Sequence, residues 1–125
     1  MGRGAGLRLR LAAALLAVPL AASGHHGWSE YDASKLLKLS GKIVESDYER
    51  PHGHLRLETV GEGAKAGKTW LVVLASPLRM DVRGLTPEML MPGGSVSVEG
   101  YADREHPEEM RAERIMIQGR SIELR

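Results

Sequence analysis

Apolar and polar residues alternate along most of the chain beyond residue 35, with a period of two. That is the period of strands with one buried face. The stretch from Leu36 to Glu49 predicts a long first strand, with Gly41 as a bulge or bend. Arg50-Pro51 turns the chain, and alternation resumes from His52 to Val60. A Gly/Lys-rich hairpin loop, 61–68, leads into a third strand, Thr69 to Leu74. The pattern then changes. Ser76-Pro77 is a helix start, with Ser76 as N-cap and Pro77 in the first turn, and Gly84 stops the short helix. Thr86-Pro87-Glu88 repeats the signal for a second turn ending at Pro92-Gly93-Gly94. Strands return at Ser95 to Tyr101, Arg111 to Ile117 and Ser121 to Leu124, with a charged loop tip from Asp103 to Glu109.

Three strands, a short helical connection and two or three further strands match a small Greek-key barrel of the OB type, five- to six-stranded, all-β apart from the helical segment. Barrel closure hides the edges that short antiparallel sheets expose. A β-sandwich would need about seven strands. The 77–91 segment is expected to cap one end of the barrel.

With 125 residues, 42% of them hydrophobic and 26% charged, the chain has room for one globular domain. Phe is absent and aromatics make up 4%, so the core must be built from Leu, Val, Ile, Met and Ala. There is no cysteine. This excludes disulfides, thiolate metal sites, iron–sulfur clusters and a cysteine nucleophile. Any metal must be held by His, Asp, Glu, Met or backbone.

Residues 1–24 have the composition of a secretory signal: basic through Arg10, apolar from Leu11 to Ala22, then Ser23-Gly24. The twelve-residue apolar run is too short to span a bilayer. Small residues at Ala22 and Gly24 place the expected cut before His25, leaving 25–125 as a single domain exported to a bacterial periplasm. Without the first 24 residues the balance is 14 basic against 16 acidic, a charge of −2. Nucleic acid and membrane are therefore not expected partners, since phosphate binding needs surplus Lys and Arg.

Against this background histidine is over-concentrated. Four of the five lie in two pairs, His25-His26 at the expected new terminus and His52-Gly53-His54 at a strand start. Residues i and i+2 of a strand point to the same face, so His52 and His54 can present two imidazoles together. Imidazole suits copper and zinc, and Cu(II) leads on affinity. A cut before His25 would let its amine and ring nitrogen chelate one ion; a cut before Ser23 would make Ser-Gly-His an amino-terminal chelate. The expected donors are His25, His26, His52 and His54, holding one copper or zinc ion. Trp28, Tyr31, Asp32 and Trp70 support them, Trp28 and Tyr31 by anchoring a segment 25–32 folded back along the barrel. The competing reading is a binding module for a peptide, small ligand or partner protein, with structural histidines. Asp32-Ala33-Ser34 also reads as an ordinary turn, the dispersed methionines as core filling, and His106 as solvent-exposed.

No nucleophile elbow, phosphate loop, dinucleotide fingerprint or His-Glu-x-x-His helix is present, so no enzyme is expected.

His25-His26 followed by Tyr31-Asp32, Gly41-Lys42-Ile43-Val44, Pro51-His52, Trp70, Ser76-Pro77, Leu85-Thr86, Pro92-Gly93 and Val96-Ser97-Val98-Glu99-Gly100 resembles a bacterial family of small secreted proteins of unknown function. The resemblance spans nearly the whole mature chain. It singles out His25, His26, Tyr31, Asp32, Pro51, His52 and Trp70. His54 lies outside the family pattern, Arg50 replaces an Asn, and Val73 falls where many members carry an acid.

Overall fold

The computed structural model describes residues 27–61 and 67–125. Strand β1 (Leu37–Asp47) pairs antiparallel with β2 (His54–Thr59), which pairs with β3 (Thr69–Val73). Helix α1 (Pro77–Val82) and a 3-10 turn (Pro87–Leu90) lead to β4 (Ser95–Ala102), β5 (Glu109–Ile117) and β6 (Arg120–Glu123). The sheet order is β3-β2-β1-β4-β5-β6, and a parallel pairing of β3 with β5 closes the first five strands into a barrel. This is the OB-type architecture expected from the strand order, with β6 as an additional strand on β5.

Alternation carries the core. Leu37, Leu39 and Ile43 of β1, Leu55 and Leu57 of β2, and Val96 and Val98 of β4 point inward. Ser76 caps α1 by accepting the Arg79 amide at 3.3 Å, as its sequence predicts. The connecting segment contributes Met80, Leu85 and Leu90 to the core, closing the barrel with apolar side chains.

Gly41 is not the bulge. The register of β1 against β2 shifts between Ile43 and Glu45, leaving Val44 outward and 40% exposed. Gly41 marks a close approach: a Cβ there would lie 2.1 Å from the Glu58 carbonyl oxygen. Gly100 plays the same part where β4 meets β5, 1.9 Å from the Arg111 oxygen. Only a residue without a side chain lets these strands cross so tightly.

At the closure the inward–outward rule breaks down. Met110, Arg111 and Ala112 are consecutive and all buried, as are Val72 and Val73. Met110, Ala112 and Val72 belong to the core, while Val73 and Arg111 do not. Arg111 is covered from the other side. A segment running from Gly27 to Asp32 lies over the outer face here, bonded to the end of β4 by Asp32 N–H to the Ala102 carbonyl (2.8 Å), and to the β4–β5 loop by Arg104 N–H to the Glu30 carbonyl (3.0 Å) and a bridge between Tyr31 and Asp103.

Candidate functional site

The covering segment begins with a single 3-10 turn, Trp28–Glu30, and then extends. The indole of Trp28 packs edge-on against Tyr31 (6.4 Å between centroids) and Tyr101 (6.2 Å). The guanidinium carbons of Arg111 and Arg125 lie 4.3 and 4.5 Å from its centroid, within cation–π range. Tyr31 is 1% exposed and, like Val73, outside the barrel core. Trp28 and Tyr31 thus anchor the segment against the barrel.

Arg111 joins this anchor to His52. Its Nη2 lies 3.3 Å from His52 Nε2, and a guanidinium can only donate, so that nitrogen is an unprotonated acceptor. Burial lowers the Arg111 pKa, with the Arg79 and Arg125 charges acting in the same direction and Tyr31 against them. His52 follows a cis Arg50-Pro51 peptide. His54, at the start of β2, engages a different partner, with its Nδ1 3.3 Å from Asp47 Oδ1. The two imidazoles expected side by side are committed to different charged groups. Trp70 packs against the core, and its buried indole N–H has no hydrogen-bond partner among the described residues. Asp32 accepts the amide (3.0 Å) and hydroxyl (2.5 Å) of Ser34, bonds that hold its pKa down and close an ordinary turn. His25 and His26 lie outside the described residues.

A second group was not anticipated. Asp103, His106 and Glu109 each offer one ligand atom, all within 4.8 Å of one another. Asp103 Oδ1 accepts the amides of Glu105 (2.8 Å) and His106 (2.9 Å) and lies 3.0 Å from His106 Nδ1. The same Nδ1 is 3.8 Å from Glu109 Oε2. His106 is exposed, as expected, with its side chain 67% accessible, whereas the Asp103 side chain is 6% accessible. The Asp103 hydrogen bond and charge raise the His106 pKa; burial opposes, and is outweighed by, the bonds that lower that of Asp103. The clue in the sequence is the spacing of three, Asp103-x-x-His106-x-x-Glu109, in a loop tip read only as charged.

Arg111 was also missed. It stands in a run of alternating charges, and only the covering segment converts it from a surface cation into a buried one. Arg114, on the same strand, pairs with Glu99 at 2.7 Å and with Glu123.

A profile of a family of unknown function, DUF6152, matches residues 13–110. The chain belongs to that family. The match takes in β1 to β4, the loop tip and the segment over the closure. No curated protein and no solved structure matches the chain significantly.

The binding-module reading has its own candidate, a groove of about 600 Å³ lined by Ser40, Lys42, Ser97, Met116, Arg120 and Ser121 among others. Its lining shares no residue with the histidine sites.

Proposed function

We propose that this family member is an exported, periplasmic metal-binding protein, holding one Cu(II) or Zn(II) ion between His25, His26 and His52. The observation that supports this reading is the path of residues 27–32 over the barrel closure. Trp28 stacks by Arg111, and Arg111 reaches His52 Nε2 at 3.3 Å. His26 is two residues before Trp28 in the sequence, and this reading asks its imidazole to reach His52. His54, engaged by Asp47, falls outside this donor set.

Arg111 has a defined part in this reading. By donating to Nε2 it holds the ring in the unprotonated form that a metal requires, and the arriving ion takes over that lone pair. The ligands are imidazoles and an amine, without thiolate, which places Cu(II) ahead of Zn(II).

Calorimetric titration of the exported, mass-verified protein with Cu(II) and Zn(II) tests the proposal. One ion should bind, about tenfold or more weakly in His52→Ala and in a variant with one extra residue before His25, and more weakly as pH falls through about 6.5. Unchanged affinity in His52→Ala would reduce the site to a terminal chelate without help from the barrel. A full-length protein retained in the membrane would overturn the export step.

A further inference from the structure

The Asp103, His106 and Glu109 side chains gather two carboxylates and one imidazole in the loop between β4 and β5, a donor set unlike the histidines above. Two features separate them from an ordinary acidic surface cluster. The first is preorganisation: Asp103, 6% accessible, is fixed by two backbone amides through Oδ1, so its second oxygen is held in place. The 3.0 Å between Asp103 Oδ1 and His106 Nδ1 is close to the separation of adjacent ligands around an octahedral ion with bonds of about 2.1 Å. Glu109 Oε2, at 3.8 Å, needs only a side-chain adjustment to join them.

The second feature is Tyr31. Its hydroxyl is buried and has no hydrogen-bond partner among the described residues, although buried hydroxyls as a rule have one. The backbone bridge to Asp103 fixes Tyr31 beside the cluster. Antiparallel bridge partners carry their side chains on the same face, so this buried donor shares a face with Asp103 and lacks a partner that a bound ion's water would supply.

We propose that Asp103, His106 and Glu109 form a second cation site, separate from the terminal histidines, for a hard to borderline divalent ion such as Mn(II) or Zn(II), with the Tyr31 hydroxyl bonding a water of that ion. Two carboxylates suit Mn(II), and the single imidazole extends the set to Zn(II). On binding, His106 Nδ1 gives up its proton, and the hydrogen bond to Asp103 is replaced by two bonds to the ion.

Mn(II) titration followed by electron paramagnetic resonance, with Zn(II) competition, tests the site in the processed protein. One Mn(II) should bind, be displaced by Zn(II), and weaken at least tenfold in His106→Ala and Glu109→Gln. Tyr31→Phe should weaken it a few fold, and all three variants should keep the wild-type circular dichroism spectrum. His52→Ala and the double His25→Ala/His26→Ala variant should bind Mn(II) as wild type does, whatever happens to their copper affinity. Mn(II) binding unaffected by His106→Ala and Glu109→Gln overturns the site. So does Mn(II) binding abolished by His52→Ala, which would merge the two sites into one.

Discussion

His52 and His106 are the same side chain held by partners of opposite charge. His52 accepts from the Arg111 guanidinium, which itself stacks on Trp28, whereas His106 leans on the Asp103 carboxylate in an open loop. A guanidinium neighbour favours the neutral ring; a carboxylate favours the imidazolium. On the two proposals above, the flanks would recruit a cation by different means. At His106 the charges of Asp103 and Glu109 attract it directly, so binding there should fall with added salt. At His52 the neighbouring charge is repulsive, and only coordination bonds strong enough to displace a guanidinium can hold an ion. On those proposals the His106 flank would take Mn(II) or Zn(II) and the His52 flank Cu(II).

Tyr31 links the flanks, so its removal should have the largest effect. Tyr31→Ala takes a fully buried ring from between the covering segment and the barrel, with an expected loss of about 3–5 kcal/mol in urea unfolding. Both histidine environments should loosen together, and both ion affinities should fall. A cost under about 1 kcal/mol would show that Trp28 alone pins the segment and that the flanks are independent.

Alkaline titration sharpens the same point. Burial, followed by the Glu109 charge, raises the Tyr31 pKa to about 12 from an ordinary 10.0. With the folded pKa above the unfolded one, this contribution is fully present below pH 10 and is lost as pH climbs through 12. It amounts to about 2–3 kcal/mol. Unfolding free energies measured between pH 9 and 12 should fall less steeply in Tyr31→Phe. Tyr48, raised by burial, and Tyr101, raised first by its hydrogen bond to Glu113, supply the remaining slope. Equal slopes in wild type and Tyr31→Phe would place the hydroxyl in a more polar setting than the structure does.

A smaller effect is expected on the basic flank. If Arg111 competes with the ion for His52 Nε2, Arg111→Gln should raise Cu(II) affinity by about tenfold, about 1.4 kcal/mol. Reduced affinity would make Arg111 a helper, holding His52 in place, and would break the contrast drawn above.

The wall of the barrel was legible in the sequence and the closure much less so. Strands follow from period two because each side chain of β1, β2 and β4 sees either core or solvent. Ser76-Pro77 marked α1 through a local hydrogen bond that needs no tertiary context. Gly41 misled because a glycine in a strand signals either a bulge or a close approach, and only the partner's position distinguishes them. Arg111 was illegible because alternation assigns it correctly to the outer face, while its burial comes from Trp28, more than eighty residues earlier. The His52-x-His54 pair illustrates a related point. Spacing fixes the face of a strand, but Asp47 and Arg111, each from another strand, decide where each ring bonds. Spacing alone could have flagged Asp103, His106 and Glu109, yet a charged loop tip is so common that the signal was lost in it.

The smallest effect separates the flanks most cleanly. In the ion-free protein the His106 ring should titrate above 6.5, because its bond to Asp103 and that carboxylate's charge stabilise the imidazolium. The raised pKa makes this contribution to stability present below the unfolded value and lost as pH rises through the folded one. The group is solvent-exposed, so the titration shift is a better readout than unfolding. Asp103→Asn should return the His106 midpoint, followed by nuclear magnetic resonance, towards 6.5 and leave the His52 signals in place. Arg111→Gln should do the reverse, moving His52 and sparing His106. If Asp103→Asn shifts both rings, the two histidines share one electrostatic environment through Tyr31, and the division of the face into an acidic and a basic flank fails.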